Sequence, residues 1–171
     1  FQSLAFRIFK YQFERNRIYR RFCELEKVTP KTLLSWKDIP AIPAAAFKEF
    51  TLATFNPKKA ARIFETSGTT RVRKGRHFFD TLLLYHAAIA PAFKRYLIPD
   101  RKEIELFFVL SSPLETPNSS LSYMMGVVNK TFGTAGNRRF YVKAGKLDAE
   151  KLLTDLRSVE RKRPAMILST A

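Results

Sequence analysis

Residues 103–132, EIELFFVLSSPLETPNSSLSYMMGVVNKTF, decide the fold. The first eight, 103–110, form a nearly unbroken apolar run of strand length, as expected of a strand covered on both faces. Ser, Pro, Thr and Asn then crowd into SSPLETPNSS, 111–120, which reads as a loop. LSYMMGVVNKTF, 121–132, returns to helical spacing. Further on come a strand at RFYVK (139–143), a helix at DAEKLLTDLRSVERK (148–162) and a strand at AMILST (165–170). Strands separated by helices of this length imply parallel pairing through crossovers. The expected class is therefore α/β, a mostly parallel sheet flanked by helices on both faces. In such sheets ligands gather beyond the carboxyl ends of the strands, which sets 111–120 beside a candidate site.

Before the strand, TLLLYHAAIAPAFKRYL (81–97) suits a buried helix, with Asp80 as its N-cap and an interruption or kink near Pro91. His86 inside it reads as a packed or surface histidine rather than a ligand. The final run, PAMILSTA, is strand-like and stops without a turn signal, so the chain is expected to continue past Ala171.

Toward the N-terminus, residues 3–26 space Phe6, Phe9, Phe13, Phe22 and Leu25 by about three and four, with Arg7, Arg15, Arg17, Arg20 and Arg21 largely between them. This amphipathic pattern serves either a membrane surface or a core-facing helix, and the second use is the commoner. In WKDIPAIPAAAFKEF, 36–50, Pro40 and Pro43 each disfavour helix in the residue before them. An extended connector leading to a short element around 44–50 follows.

Composition narrows the class. The 171 residues are 46% apolar with 16 phenylalanines, ample for a packed core, and carry a net charge of +16. An anionic partner is implied: nucleic acid, a membrane surface or a nucleotide. The single cysteine, Cys23, rules out an internal disulfide and sits in the phenylalanine-rich helix, where core packing is its reading. Two histidines, His77 and His86, without a CxxC pair leave no structural zinc site. No apolar run approaches the roughly 18 residues of a membrane span. The N-terminus is peppered with charge, unlike a signal peptide, and a cytoplasmic protein is expected.

The chemistry concentrates in RIFETSGTTRVRKGRHFFD, residues 62–80. Residues 60–66 read as a strand, 67–75 as a loop and 76–79 as a second strand, a hairpin around a segment of hydroxyls and glycine. Hydroxyls donate to phosphate oxygens, glycine lets backbone N–H groups come close, and Lys74 with Arg71, Arg73 and Arg76 adds charge-assisted bonds. A solvated turn in a basic protein is the alternative. The pattern is not a Walker A loop.

In order, Ser67-Gly68-Thr69-Thr70-Arg71-Val72-Arg73-Lys74-Gly75 resembles the S-G-T-T-G-x-P-K-G loop of adenylate-forming enzymes, with Arg71 in place of glycine and Arg73 in place of proline. Together with FKYQFERNRIYRRFC, SWKDIPAIPAAAFKEF, FETSGTTRVRKGRHFFD and SSPLETPNSSLSYMMG, the chain resembles the LuxE-like acyl-protein synthetase family. The resemblance implies the N-terminal part of an adenylate-forming large domain, a single incomplete domain over 1–171. Within it lie a helical and extended segment, 1–58, and an α/β core with the phosphate loop, 59–171. It implies ATP-dependent activation of a carboxylic acid to an acyl-adenylate, then acyl transfer to a protein or thiol acceptor. Thr66, Ser67, Gly68, Thr69, Thr70, Lys74 and Gly75 are carried over as the ATP phosphate loop, with Mg2+ between phosphate oxygens and no protein metal ligands. His77 matches the family's G-R-H and is either a phosphate or carboxylate contact or a hydrogen-bonded strand histidine. Ser119, Ser120, Ser122 and Tyr123 stand where an acyl chain or nucleotide would enter, or simply cap a helix. The implied partners are the carboxylic acid, an acyl acceptor and the rest of the same polypeptide. Two other readings remain: a basic nucleic-acid-binding module and a catalytically incomplete scaffold or partner paralogue.

Overall fold

The computed structural model describes residues 1–66, 73–134, 139–159 and 163–169. The chain divides into two units, Phe1–Thr81 and Leu82–Ala171. The sequence-based boundary after residue 58 falls inside the first unit, so the hairpin belongs with the N-terminal helices.

In the first unit, α1 (Gln2–Arg15) and α2 (Arg17–Leu25) replace the single helix expected over 3–26. Asn16 divides them: its backbone is extended, and its side chain accepts from the Tyr19 N–H at 3.1 Å, capping α2. A capping asparagine satisfies an orphan donor that a continuous helix would not leave, so the local signal overrides the hydrophobic spacing. Phe9 is buried, with its ring near Phe13 and edge-on to Tyr19, and Cys23 is fully buried. The core-facing reading thus holds for Phe9 and Cys23, and burial raises the Cys23 thiol pKa. After a 3-10 turn at Trp36–Asp38 the connector runs extended to α3 (Ala46–Glu49). Strands β1 (Arg62–Glu65) and β2 (Arg76–Phe79) pair antiparallel, Phe64 opposite His77 and Glu65 opposite Arg76.

The second unit holds α4 (Leu83–Tyr96), β3 (Glu105–Ser111), α5 (Ser120–Phe132), β4 (Phe140–Lys143), β5 (Lys146–Leu147), α6 (Ala149–Ser158) and β6 (Ala165–Ser169). Its sheet has the order β5-β4-β3-β6, with β3 parallel to both β4 and β6 and β5 antiparallel to β4. The class is α/β, and the sheet is mixed. Helix α5 leads from β3 to β4, and α6 leads from β4 back past β3 to β6. Crossovers of one hand then put these helices on opposite faces. On one face Leu106, Phe108 and Leu110 pack with Ile89 and Phe93 of α4 and Met125, Val128 and Phe132 of α5. On the other, Phe107 stacks on Tyr141, whose hydroxyl donates to Asp155 of α6 at 2.9 Å. This two-sided cover explains why β3 reads as a continuous apolar run.

Two local expectations change. Helix α4 begins after Leu82, not Asp80, whose carboxylate instead accepts from the Thr81 N–H at 2.8 Å. The helix also runs uninterrupted across Pro91. Among the described residues no helix is long and apolar enough to cross a membrane.

Candidate functional site

Strands β1 and β2 are held together at the open end by Thr66 and Gly75. The Thr66 N–H donates to the Gly75 carbonyl at 2.9 Å, and the Gly75 N–H donates to Thr66 Oγ1 at 3.0 Å. Thr66 therefore uses a hydroxyl lone pair, and Gly75 its N–H, to close the neck of the loop; the neck bonds leave the threonine O–H proton uncommitted. Gly75 is buried, and a Cβ there would stand 3.2 Å from Thr66 Cγ2 and 3.5 Å from Phe47 Cβ. Only a residue without a side chain leaves that neck undisturbed.

The loop that this neck closes contains Ser67, Gly68, Thr69 and Thr70, together with Arg71 and Val72; these six lie outside the described residues. On its return limb, Lys74 Nζ stands 3.4 Å from Glu65 Oε2, and Arg73 stands 3.4 Å from Glu49 Oε2. The two cations are mostly exposed. Exposed pairs of this kind are worth about 1 kcal/mol or less, so either cation can exchange its carboxylate for a phosphate oxygen at little cost. His77 lies two residues beyond Gly75 in β2, half-buried, its ring stacked on Phe47 at 4.5 Å. Its observed partner is thus an aromatic face of α3, a contact no sequence spacing announced.

In the second unit the 111–120 segment satisfies much of itself. Thr116 donates from its N–H and its hydroxyl to the Ser112 carbonyl at 3.0 and 3.1 Å. Ser119 is the N-cap of α5, its hydroxyl accepting from the Ser122 N–H at 3.1 Å, and the buried Ser122 hydroxyl lies 2.9 Å from the Thr116 hydroxyl. The Ser120 carbonyl accepts from the Tyr85 hydroxyl at 2.9 Å. Ser119 thus caps the helix, while Ser120 and Ser122 meet Tyr85 and Thr116. Tyr123 differs. Its hydroxyl lies 2.7 Å from His86 Nε2 and the two rings lie parallel, 5.6 Å apart. Both residues occupy the first turns of their helices, at the end of the sheet where β3 gives out into the loop. Sequence reasoning singled out Tyr123 and set His86 aside; pairing across two helices leaves no local trace by which it would have been found.

Among the described residues no group of three or more His, Cys, Asp or Glu side chains is placed to hold a metal ion.

Comparison with known families brings a single class into view. Residues 1–170 match the family described as acyl-protein synthetase, LuxE. The chain belongs to that family, and membership points to an enzyme of the acyl-protein synthetase kind. No curated protein and no solved structure matches it.

Proposed function

We propose that the protein activates a carboxylic acid with ATP to an acyl-adenylate and passes the acyl group to a protein or thiol acceptor. One observation carries this reading: an S-G-T-T-x-x-x-K-G sequence, Ser67 to Gly75, mounted on a hairpin whose neck is closed by Thr66 and Gly75. A paired neck fixes where the loop begins and ends.

The residues present fit a triphosphate by the chemistry of their donors: hydroxyls, glycine N–H groups and exposed cations, all suited to anionic oxygen. When bound, ATP supplies an electrophilic α-phosphorus and pyrophosphate as leaving group. Lys74 releases Glu65 and offsets negative charge on the phosphate chain. Ser67, Thr69 and Thr70 donate hydroxyl hydrogen bonds, and Gly68 lets its N–H approach. The carboxylate oxygen then forms the new P–O bond as the bond to pyrophosphate breaks. Magnesium, when bound with the nucleotide, would supply charge neutralisation of the phosphate chain. His77, oriented by its stack on Phe47, is assigned a phosphate or carboxylate contact. A cytoplasmic setting, where ATP is abundant, is part of the same reading.

The test is carboxylate-dependent exchange of labelled pyrophosphate into ATP by the full gene product, across fatty, aryl and small acids. Thr69→Ala and Lys74→Ala are expected to lower exchange at least tenfold, about 1.4 kcal/mol of lost transition-state stabilisation, with the melting temperature unchanged. His77→Phe keeps an aromatic ring against Phe47 and removes the imidazole, so an unchanged rate would assign His77 to packing alone. Absence of exchange with every acid, together with tight salt-sensitive RNA or DNA binding, would replace this function by the nucleic-acid module.

A further inference from the structure

The loop departs from the S-G-T-T-G-x-P-K-G pattern at Arg73, where that pattern has proline. A proline would lock φ and restrain the chain immediately before Lys74 and Gly75. Arg73 brings no such restraint of its own. The return limb is gripped from outside instead, by α3. Arg73, Gly75 and His77, alternate residues of the limb, all meet that element. Arg73 Nη1 pairs with Glu49 Oε2 at 3.4 Å, and a Cβ at Gly75 would stand 3.5 Å from Phe47 Cβ. The His77 ring stacks on the Phe47 ring at 4.5 Å, with 28° between their planes. Lys74, between them, meets Glu65 of β1 instead. The Lys74–Glu65 pair therefore ties one limb of the hairpin to the other, whereas the α3 contacts tie the hairpin to the connector.

We propose that α3 is an external brace for the phosphate loop, with Glu49 holding Arg73 and Phe47 holding His77 in place of the restraint that proline gives. Phe47 and Glu49 are then positioning residues for the nucleotide. This divides the two cations of the limb: Lys74 turns to phosphate, and Arg73 stays on Glu49. Magnitudes agree with the exchange. Fixing φ with a proline and closing an exposed ion pair each shift an equilibrium by about two- to fivefold, so the pair is of the right size to replace the ring. The aromatic stack adds its own attraction two residues further along.

The purpose of the brace rests on the ATP reading, but the brace itself is present without nucleotide. A competing role for Glu49 is to hold Arg73 away from phosphate. The two roles give opposite signs when the Glu49 charge is removed.

The first measurement is amide hydrogen exchange in the full gene product without nucleotide, read at the neck, where the Gly75 N–H donates to Thr66 Oγ1 and the Thr66 N–H to the Gly75 carbonyl. Glu49→Gln and Arg73→Gln are each expected to speed exchange of these two amides about threefold, with β3 unchanged. The double variant should go no further than either single one, because both remove the same contact. Arg73→Pro should make the neck indifferent to Glu49→Gln. Should proline disturb the limb, the reversed pair of Glu49→Arg with Arg73→Glu is expected to restore the protection that each change alone loses. Phe47→Leu should speed neck exchange, and Phe47→Tyr, which keeps the ring, should not.

The second measurement is carboxylate-dependent pyrophosphate exchange. Glu49→Gln is expected to raise KM for ATP about threefold, with kcat and the KM for the acid unchanged, and Arg73→Pro should cancel that rise. Neck exchange that is unaltered in Glu49→Gln overturns the brace. So does a lower KM for ATP in that variant, which would make Glu49 a competitor of phosphate for Arg73. If the parent protein shows no pyrophosphate exchange with any acid, the adenylation reading falls, and the amide measurement still decides whether α3 braces the loop.

Discussion

At Gly75 the fold and the candidate site meet in one missing methyl group. Gly75→Ala sets a Cβ 3.2 Å from Thr66 Cγ2 and 3.4 Å from Thr66 Oγ1, so the Thr66 side chain, which holds the neck, must give by a few tenths of an ångström. A loss of about 1 to 3 kcal/mol in urea unfolding is expected, as for other overpacked sites, with a parallel fall in exchange activity. Thr66→Val keeps the shape of the side chain but leaves the buried Gly75 N–H without its acceptor, a cost of about 1 to 3 kcal/mol that Thr66→Ser should avoid. Glu105 makes a separate residue-scale case. It is buried, and burial alone would raise its pKa. Hydrogen bonds from Thr134 and Arg139, with the charges of Arg139 and Arg163, outweigh burial and hold it below the usual carboxylate value. A lowered folded pKa means stability that is fully present above the unfolded value and lost as pH falls through the folded one. Glu105→Gln is expected to cost about 3 kcal/mol at neutral pH, because Arg139 is left buried without its partner. The variant and the parent should converge in urea midpoint as pH is lowered past the carboxylate range. The hydroxyl and cation content of 66–75 was legible in the sequence, as was the buried Cys23. The partners of His77 and His86 were not, since Phe47 and Tyr123 lie in other elements and only folding brings them near.

Elements were legible where periodicity and punctuation agreed. Strand β3, helices α5 and α6, and strands β4 and β6 all follow the reading of their apolar runs, because each is bounded by loop-forming residues or covered on a known face. Three features escaped. Asn16 breaks the first helix by capping the second, and a lone asparagine in an amphipathic run looks like an ordinary polar position. Pro91 stays inside α4 despite the lost N–H. The two-residue strand β5 is too short to show a period, and it depends on a turn at Ala144 and Gly145, both with positive φ, +47° and +74°. Positive φ at both central residues is what a tight antiparallel connection with right-handed strand twist requires. Gly145 occupies it without strain, whereas Ala144 does not. Replacing Ala144 with Gly should therefore raise stability by about 0.5 to 1 kcal/mol by thermal denaturation, since relief of the strained φ outweighs the added chain entropy. The cap at Ser119 supplies the reverse test: Ser119→Ala removes the acceptor for the Ser122 N–H and should cost about 1 kcal/mol.

For the whole molecule the governing quantity is charge. The first unit, Phe1–Thr81, carries 17 Lys and Arg against 7 Asp and Glu, so the larger share of the +16 lies with the hairpin and the N-terminal helices. Such an excess draws any polyanion toward the surface, and composition alone does not choose among a nucleotide, a nucleic acid and a lipid head group. Salt dependence does. Raising ionic strength from about 0.01 to about 0.1 M shortens the screening length from about 30 to about 10 Å, which weakens long-range attraction but spares direct contacts. If Lys74 and its neighbours meet the triphosphate, KM for ATP in pyrophosphate exchange should rise several-fold over this range, while KM for the acid shifts less. In Lys74→Ala the dependence on salt should be visibly shallower, because one of the cations being screened is gone. A nucleic-acid module behaves differently: each neutralised phosphate adds nearly one unit to the slope of log affinity against log salt. A steep slope for RNA or DNA, with an ATP KM indifferent to salt, would transfer the basic surface from the nucleotide to the nucleic acid.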